Sequence, residues 1–114
     1  MKIFNATKMT MIAEEAAVAK TFFSRLIGLT NRKSLKAGEA LVITPCRSIH
    51  MFFMRFAIDV LFISADNRIV GLVKEIKPFN VSPIFFRASY CIEAPCGTID
   101  KSKTSPDDLI ELKN

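Results

Sequence analysis

The run from Cys46 to Ser64, CRSIHMFFMRFAIDVLFIS, constrains the fold more than any other part of the chain. Its apolar body is broken by Arg47, His50, Arg55 and Asp59. As one helix it would set Arg55 and Asp59 as an i, i+4 ion pair. Three features favour strands instead. Ile, Val and Phe supply much of the run, Pro45 precedes it, and Asp66-Asn67 beyond it makes a good hairpin turn before Arg68-Ile-Val-Gly-Leu-Val. The expected division is a strand from Arg47 to Met54, a bend at Phe56-Ala57, a strand from Ile58 to Ser64, and an antiparallel return from Arg68 to Glu75. The longest apolar part, Ile49 to Ile63, holds Arg55 and Asp59 and is shorter than the roughly 20 residues a spanning helix needs. No membrane span is expected.

Around this centre the pattern gives further short elements. Lys2 to Asn5 and Met9 to Ile12 read as strands about a polar break. Thr21 can cap a short helix, Phe22 to Leu29, with Phe22, Leu26 and Leu29 on one face. Ala40 to Thr44 is a small β-branched strand. Ile76 to Phe86, with Pro78 and Pro83, reads as a loop lying across the body. Ala88 to Ala94 is another strand, with Ser89, Cys91 and Glu93 on one side and Tyr90, Ile92 and Ala94 on the other. Gly97 to Lys103 forms a helical turn, and Leu109 to Leu112 a last strand. Short strands separated by turns predict a mainly β protein, a small sandwich or partly closed barrel with one or two short helices. At 114 residues the expectation is a single domain, 1–114.

Charge is unevenly placed. The chain carries +5, and residues 1 to 36 hold seven bases against Glu14 and Glu15, so the remainder is neutral. No aromatic-basic stacking motif, helix-turn-helix or finger spacing accompanies the basic third, and nucleic acid is not indicated. The amino terminus lacks the uninterrupted apolar core of a signal peptide. Three cysteines, Cys46, Cys91 and Cys96, are sparse and odd in number, which fits reduced thiols and a cytoplasmic location.

The candidate chemistry is polar side chains inside apolar segments. His50 is the one histidine. Asp59 interrupts an apolar strand and must be paired, protonated or at an open end, with Arg55 or Arg87 its natural partner. In one reading Arg55 and Asp59 form a structural ion pair, with His50 hydrogen-bonded beside the core. In another, His50, Arg55, Asp59 and Arg87, with Glu93, line a pocket for an anion or small ligand. A third makes Cys46, His50, Cys91 and Cys96 a zinc site holding the domain together. A Cys46-His50-Asp59 hydrolase fits poorly, because residues four apart on a strand lie roughly 13 Å apart. Phosphate-binding glycine loops and nucleophile elbows are absent from the sequence. The pairs Phe22-Phe23, Phe52-Phe53 and Phe85-Phe86 would each send one ring to either side of an extended segment.

The string Cys46 to Phe62 resembles the signature of the prokaryotic family known as domain of unknown function one-ninety-two. Arg25-x-x-Gly28-Leu29 before it, Pro78-Phe79 after it, and Arg87-Ala-x-Tyr-x-Ile-Glu93-x-x-x-Gly97-Thr98 beyond follow the family's order, over roughly residues 16 to 112. The resemblance implies a small mainly β sandwich carrying a short helix. It brings no established reaction or substrate. Met51 replaces the family's usual Thr, Ala57 its Pro, and Asp107 the Gly of a terminal Gly-Asp turn. Cys91 and Cys96 stand where the family does not call for cysteine, which weakens the zinc reading.

The expected function is therefore a small cytoplasmic binding or accessory domain rather than an enzyme. Its site would be His50, Arg55, Asp59, Arg87 and Glu93, its partner a small molecule or a protein, and it would need no cofactor. The alternatives are a hydrolase or transferase using His50 as general base, and the zinc-stabilised domain.

Overall fold

The computed structural model describes residues 1–19, 34–51 and 54–114. Among them run β1 (Lys2–Asn5), β2 (Thr10–Ala13), β3 (Glu15–Ala19), β4 (Glu39–Ile43), β5 (Ile58–Ile63), β6 (Ile69–Ile76), β7 (Tyr90–Pro95), the short helix α1 (Thr98–Lys101) and β8 (Ile110–Lys113). Two sheets result. The smaller is antiparallel with order β2-β1-β8, and the larger has order β3-β4-β7-β5-β6. In the larger sheet β3 and β4 are parallel and every other pair is antiparallel. The protein is thus mainly β, as expected, in the form of packed sheets rather than a closed barrel.

The larger sheet is covered on both faces, which is why Ile58 to Ile63 is apolar except at Asp59 and is buried at every position. On one face Val42, Leu61, Ile63, Ile92 and Ala94 pack against Ile3, Ile12 and Ile110 of the small sheet and Ile99 of α1. On the other, Leu41, Ile43, Val60, Phe62 and Cys91 are covered by irregular chain: Ile49, Met51 and Met54 from one segment, Phe85 and Ala88 from another. Gly71 on β6 makes this second cover possible. A Cβ there would lie 2.3 Å from the Phe85 ring, which instead stacks 4.5 Å from the Phe62 ring centre.

Among the described residues of the range Arg47 to Met54 the predicted strand does not form. Its described part makes only an isolated antiparallel bridge, His50 with Val81, plus scattered backbone bonds to the segment 79–85. The amide of Met51 donates to Asn80 at 2.9 Å, that of Phe79 to Met51 at 2.9 Å, that of Ser82 to Ile49 at 2.8 Å and that of Phe85 to Arg47 at 2.8 Å. A continuous ladder is prevented by the partner segment, whose Pro78 and Pro83 lack donors. The Ser82 hydroxyl fills one gap by accepting from the Ile49 amide at 2.9 Å.

Strand β3 was not anticipated, because Glu15-Ala16-Ala17-Val18-Ala19 has little β propensity. It forms through parallel pairing with β4, in register from Glu15 opposite Glu39 to Ala19 opposite Ile43. The tertiary pairing overrides local preference. The expected helix Phe22 to Leu29 lies outside the described residues.

The Asp66-Asn67 turn is present. Asn67 has φ 65°, the Ser64 hydroxyl donates to the Asp66 carboxylate, and the Tyr90 hydroxyl donates to Asn67 Oδ1 at 2.7 Å. Burial pushes the Tyr90 phenol up to about 12. Asp107, which replaces the resembled family's glycine, has φ 69°, in the left-handed region glycine enters without strain.

Candidate functional site

Asp59 and Glu93 lie on the adjacent strands β5 and β7 but face opposite sides of the sheet. Asp59 is the register partner of Ala94, and Glu93 of both Val60 and Leu41. Side chains of register partners share a face. Asp59 therefore points to the side of the small sheet and α1, and Glu93 to the side covered by the irregular segments.

Asp59 is 1 % exposed and its carboxylate is taken up by backbone. Oδ1 accepts the Glu75 amide at 3.0 Å, and Oδ2 accepts the amides of Gly97 at 3.1 Å and Ile99 at 2.9 Å. Glu75 lies in the β-bulge opposite Asp59 and has φ 51°, while Gly97 has φ 94°. One buried carboxylate thus fixes a bulge in β6 and the entry to α1. The anticipated ion pair is absent: Arg55 and Arg87 are exposed, and among the described residues no ion pair joins either to Asp59. The reason is directional, since the side chain at 59 turns toward the face where α1 supplies its amides.

Glu93 is fully buried at the centre of β7, flanked across the register by Leu41 and Val60. His50 is half-buried at its bridge to Val81, with Nδ1 shielded from solvent. It sits between Ile49 and Met51, both of which enter the core on the Glu93 side of the sheet. The five anticipated residues thus separate into Asp59 on one face, Glu93 beneath the other, His50 in the covering layer, and Arg55 and Arg87 at the surface.

That covering layer has a composition of its own. Segments 45–57 and 76–89 contain no Asp or Glu but carry Arg47, Arg55, Lys77 and Arg87, all exposed. The second also exposes Phe79 (73 %), Val81 (58 %), Ile84 (57 %) and Phe86 (75 %). Phe85 enters the core while Phe86 faces water, the division expected of that pair. The signal was present in the sequence as two acid-free stretches. Their joining into one layer was not, because no regular strand pairing announces it.

The cysteines regroup as well. The Cys91 thiol donates to Cys46 Sγ at 3.1 Å, whereas Cys96 lies beyond the far end of β7 and is exposed. The zinc reading required Cys46 with His50 and Cys91 with Cys96 as two ligand pairs; among the described residues no three His, Cys, Asp or Glu side chains form a group able to hold a metal. Burial, with the charges of Asp59 and Glu75, raises the Cys96 thiol above its ordinary value. A separate cleft of about 510 Å³ runs between the end of β2, the turn at Gly38 and the start of α1, and none of the five anticipated residues lines it. Among the described residues no helix is long and apolar enough to cross a membrane.

Comparison with known proteins agrees with the fold. The family model DUF192, described as "Uncharacterized ACR", matches residues 3–112. The UPF0127 protein of Pyrococcus horikoshii is 33% identical over 112 residues, covering 96% of each chain. That of Thermococcus sibiricus is 31% identical over 113 residues, covering 96% of this chain and 73% of its own. The crystal structure of a protein of unknown function from Novosphingobium aromaticivorans superposes with a TM-score of 0.80 at 17% identity, over 97% of this chain and 82% of that one. At that identity the likeness concerns the fold. With the match across nearly its whole length, the chain belongs to the DUF192 family, whose function is uncharacterised.

Proposed function

We propose that this protein is a binding domain rather than an enzyme, and that the layer formed by the described residues of segments 45–57 and 76–89 docks on an anionic lipid surface. The observation that carries the reading is the coincidence, in one acid-free layer, of four exposed bases with four exposed large apolar side chains. Exposed apolar clusters mark interaction surfaces, and aromatic side chains beside Lys and Arg suit the boundary between lipid headgroups and acyl chains. Each base near an anionic bilayer contributes about 1 kcal/mol. A second copy of the chain is the poorer occupant, because a two-fold contact would set these cations against themselves.

In this reading Arg55 and Arg87 meet headgroups, and His50 belongs to the layer that presents them. Asp59 and Glu93 support the sheet beneath, so neither is a ligand contact. The cytoplasmic leaflet, with its anionic lipid, is the natural partner for a protein with reduced thiols.

The test is co-sedimentation with vesicles of phosphatidylcholine plus phosphatidylglycerol, against phosphatidylcholine alone, at low salt. Binding is expected only to the anionic vesicles. At about 1 kcal/mol per base, the Arg55→Ala/Arg87→Ala double variant should bind roughly 20- to 30-fold more weakly. Absence of binding to anionic vesicles, or equal binding to neutral ones, would overturn the proposal.

A further inference from the structure

The structure assigns a modification site to Cys46 and Cys91: we infer that this thiol pair is oxidised to an intramolecular disulfide by a hydroperoxide. The two Sγ atoms are 3.1 Å apart, and a disulfide bond of about 2.05 Å needs an approach of only about 1 Å. The pairing is built by the fold. Cys91 is buried on β7 opposite Ile43 of β4, and the chain leaving β4 turns at Thr44-Pro45 to bring Cys46 back over the same strand. The Cys46 amide donates to Ser89 at 3.2 Å, which holds the turn against the start of β7.

The two sulfurs differ in access, and this gives each a role. Cys46 is half-buried and borders an open depression of about 500 Å³ lined by Pro45, Arg47, Ala88 and Ser89. A small oxidant reaches it there. Cys91 is fully buried. Cys46 is therefore the attacking sulfur and Cys91 the resolving one. The Cys46 thiolate attacks the peroxide O–O bond, takes one oxygen as sulfenic acid and releases the other as water or, from an alkyl hydroperoxide, as alcohol. The Cys91 sulfur then attacks the Cys46 sulfur, forming the S–S bond and expelling the sulfenic oxygen as water. Both thiols lose their hydrogens, and the peroxide takes up two electrons.

The bond would join the docking layer covalently to the central strand of the sheet, between two segments now held by hydrogen bonds and packing.

The test is hydrogen peroxide added to the reduced protein, read by intact mass, thiol titration and peptide mapping. Expected are a loss of 2 Da, a fall from three titratable thiols to one in denaturant, a mapped Cys46–Cys91 link, and reversal by dithiothreitol. Cys96→Ser should keep the 2 Da loss. Cys91→Ala should abolish it and leave a Cys46 sulfenic acid that dimedone traps. Because Cys91 is buried, Cys46→Ser is the companion variant, and it should lose both the disulfide and the dimedone adduct. Three thiols surviving peroxide, or a link that maps to Cys96, would overturn the inference.

Discussion

Asp59 accepts the backbone amide of Glu75 at 3.0 Å, and this bond ties β5 to a bulge in the adjacent β6 where Glu75 has φ 51°. The same carboxylate takes the amides of Gly97 and Ile99. Leaving a buried donor unsatisfied costs about 1 to 3 kcal/mol. Asp59→Ala should therefore destabilise the protein by about 3 kcal/mol or more in urea denaturation, and Asp59→Asn by less. Arg55→Ala, at an exposed position, should stay within about 0.5 kcal/mol. Equal losses for Asp59→Ala and Arg55→Ala would restore the ion pair that the sequence suggested.

At Gly71 the Phe85 ring of the covering layer lies directly over the sheet backbone. An added Cβ would lie 2.3 Å from the Phe85 ring, so Gly71→Ala must push that ring off Phe62. Overpacking of this kind costs about 1 to 3 kcal/mol. Phe85→Leu in the Gly71→Ala background should recover part of the loss. Additive losses in the double variant would show that the ring is not the obstacle.

Asp108 joins the two ends of the chain. It accepts from Asn5 at 2.9 Å, from the Ser105 amide at 2.9 Å, and pairs with Lys8 at 2.9 Å. Burial alone would raise its carboxyl, but the hydrogen bonds from Asn5, Lys8 and Ser105 outweigh that and hold it below the usual 3.8. A carboxyl lowered in the folded state stabilises above its unfolded pKa, and that stability disappears as pH falls through the folded value. Unfolding free energy should therefore decline below about pH 4. Asp108→Asn should flatten this part of the profile. An unchanged acid limb in the variant would place the effect elsewhere.

The proposed lipid contact is electrostatic at its edge and apolar at its tip. Raising salt to about 1 M shortens the screening length to about 3 Å and should release most of the bound protein. Phe86→Ser should weaken vesicle binding without altering stability by more than about 0.5 kcal/mol, because the ring is 75 % exposed. Salt-insensitive binding would point to apolar adsorption alone.

Much of the β framework was legible from local pattern. The strands at Ile58 and Ile69 follow from β-branched runs between turn residues, that at Lys2 from a short apolar segment before a polar break, and the alternation in β7 placed Cys91 and Glu93 on one face and Ile92 and Ala94 on the other. Strand β3 was hidden because Ala and Glu form a strand only when a partner edge is offered. The segment from Arg47 misled because its apolar, β-branched content describes burial equally well without a ladder, and only the partner's prolines decide that no ladder forms.

The sequence by itself determined that the chain is mainly β, that its centre is buried, and that Asp59 needs partners. It determined these because periodicity and burial are encoded residue by residue. The tertiary structure decided what those partners are. It turned Asp59 to backbone amides rather than to arginine, set Glu93 on the opposite face, brought Cys46 to Cys91, and gathered four bases from two distant acid-free stretches into one layer. Each is a relation between residues far apart along the chain, and such relations exist only once the sheet order and the facing of its strands are fixed.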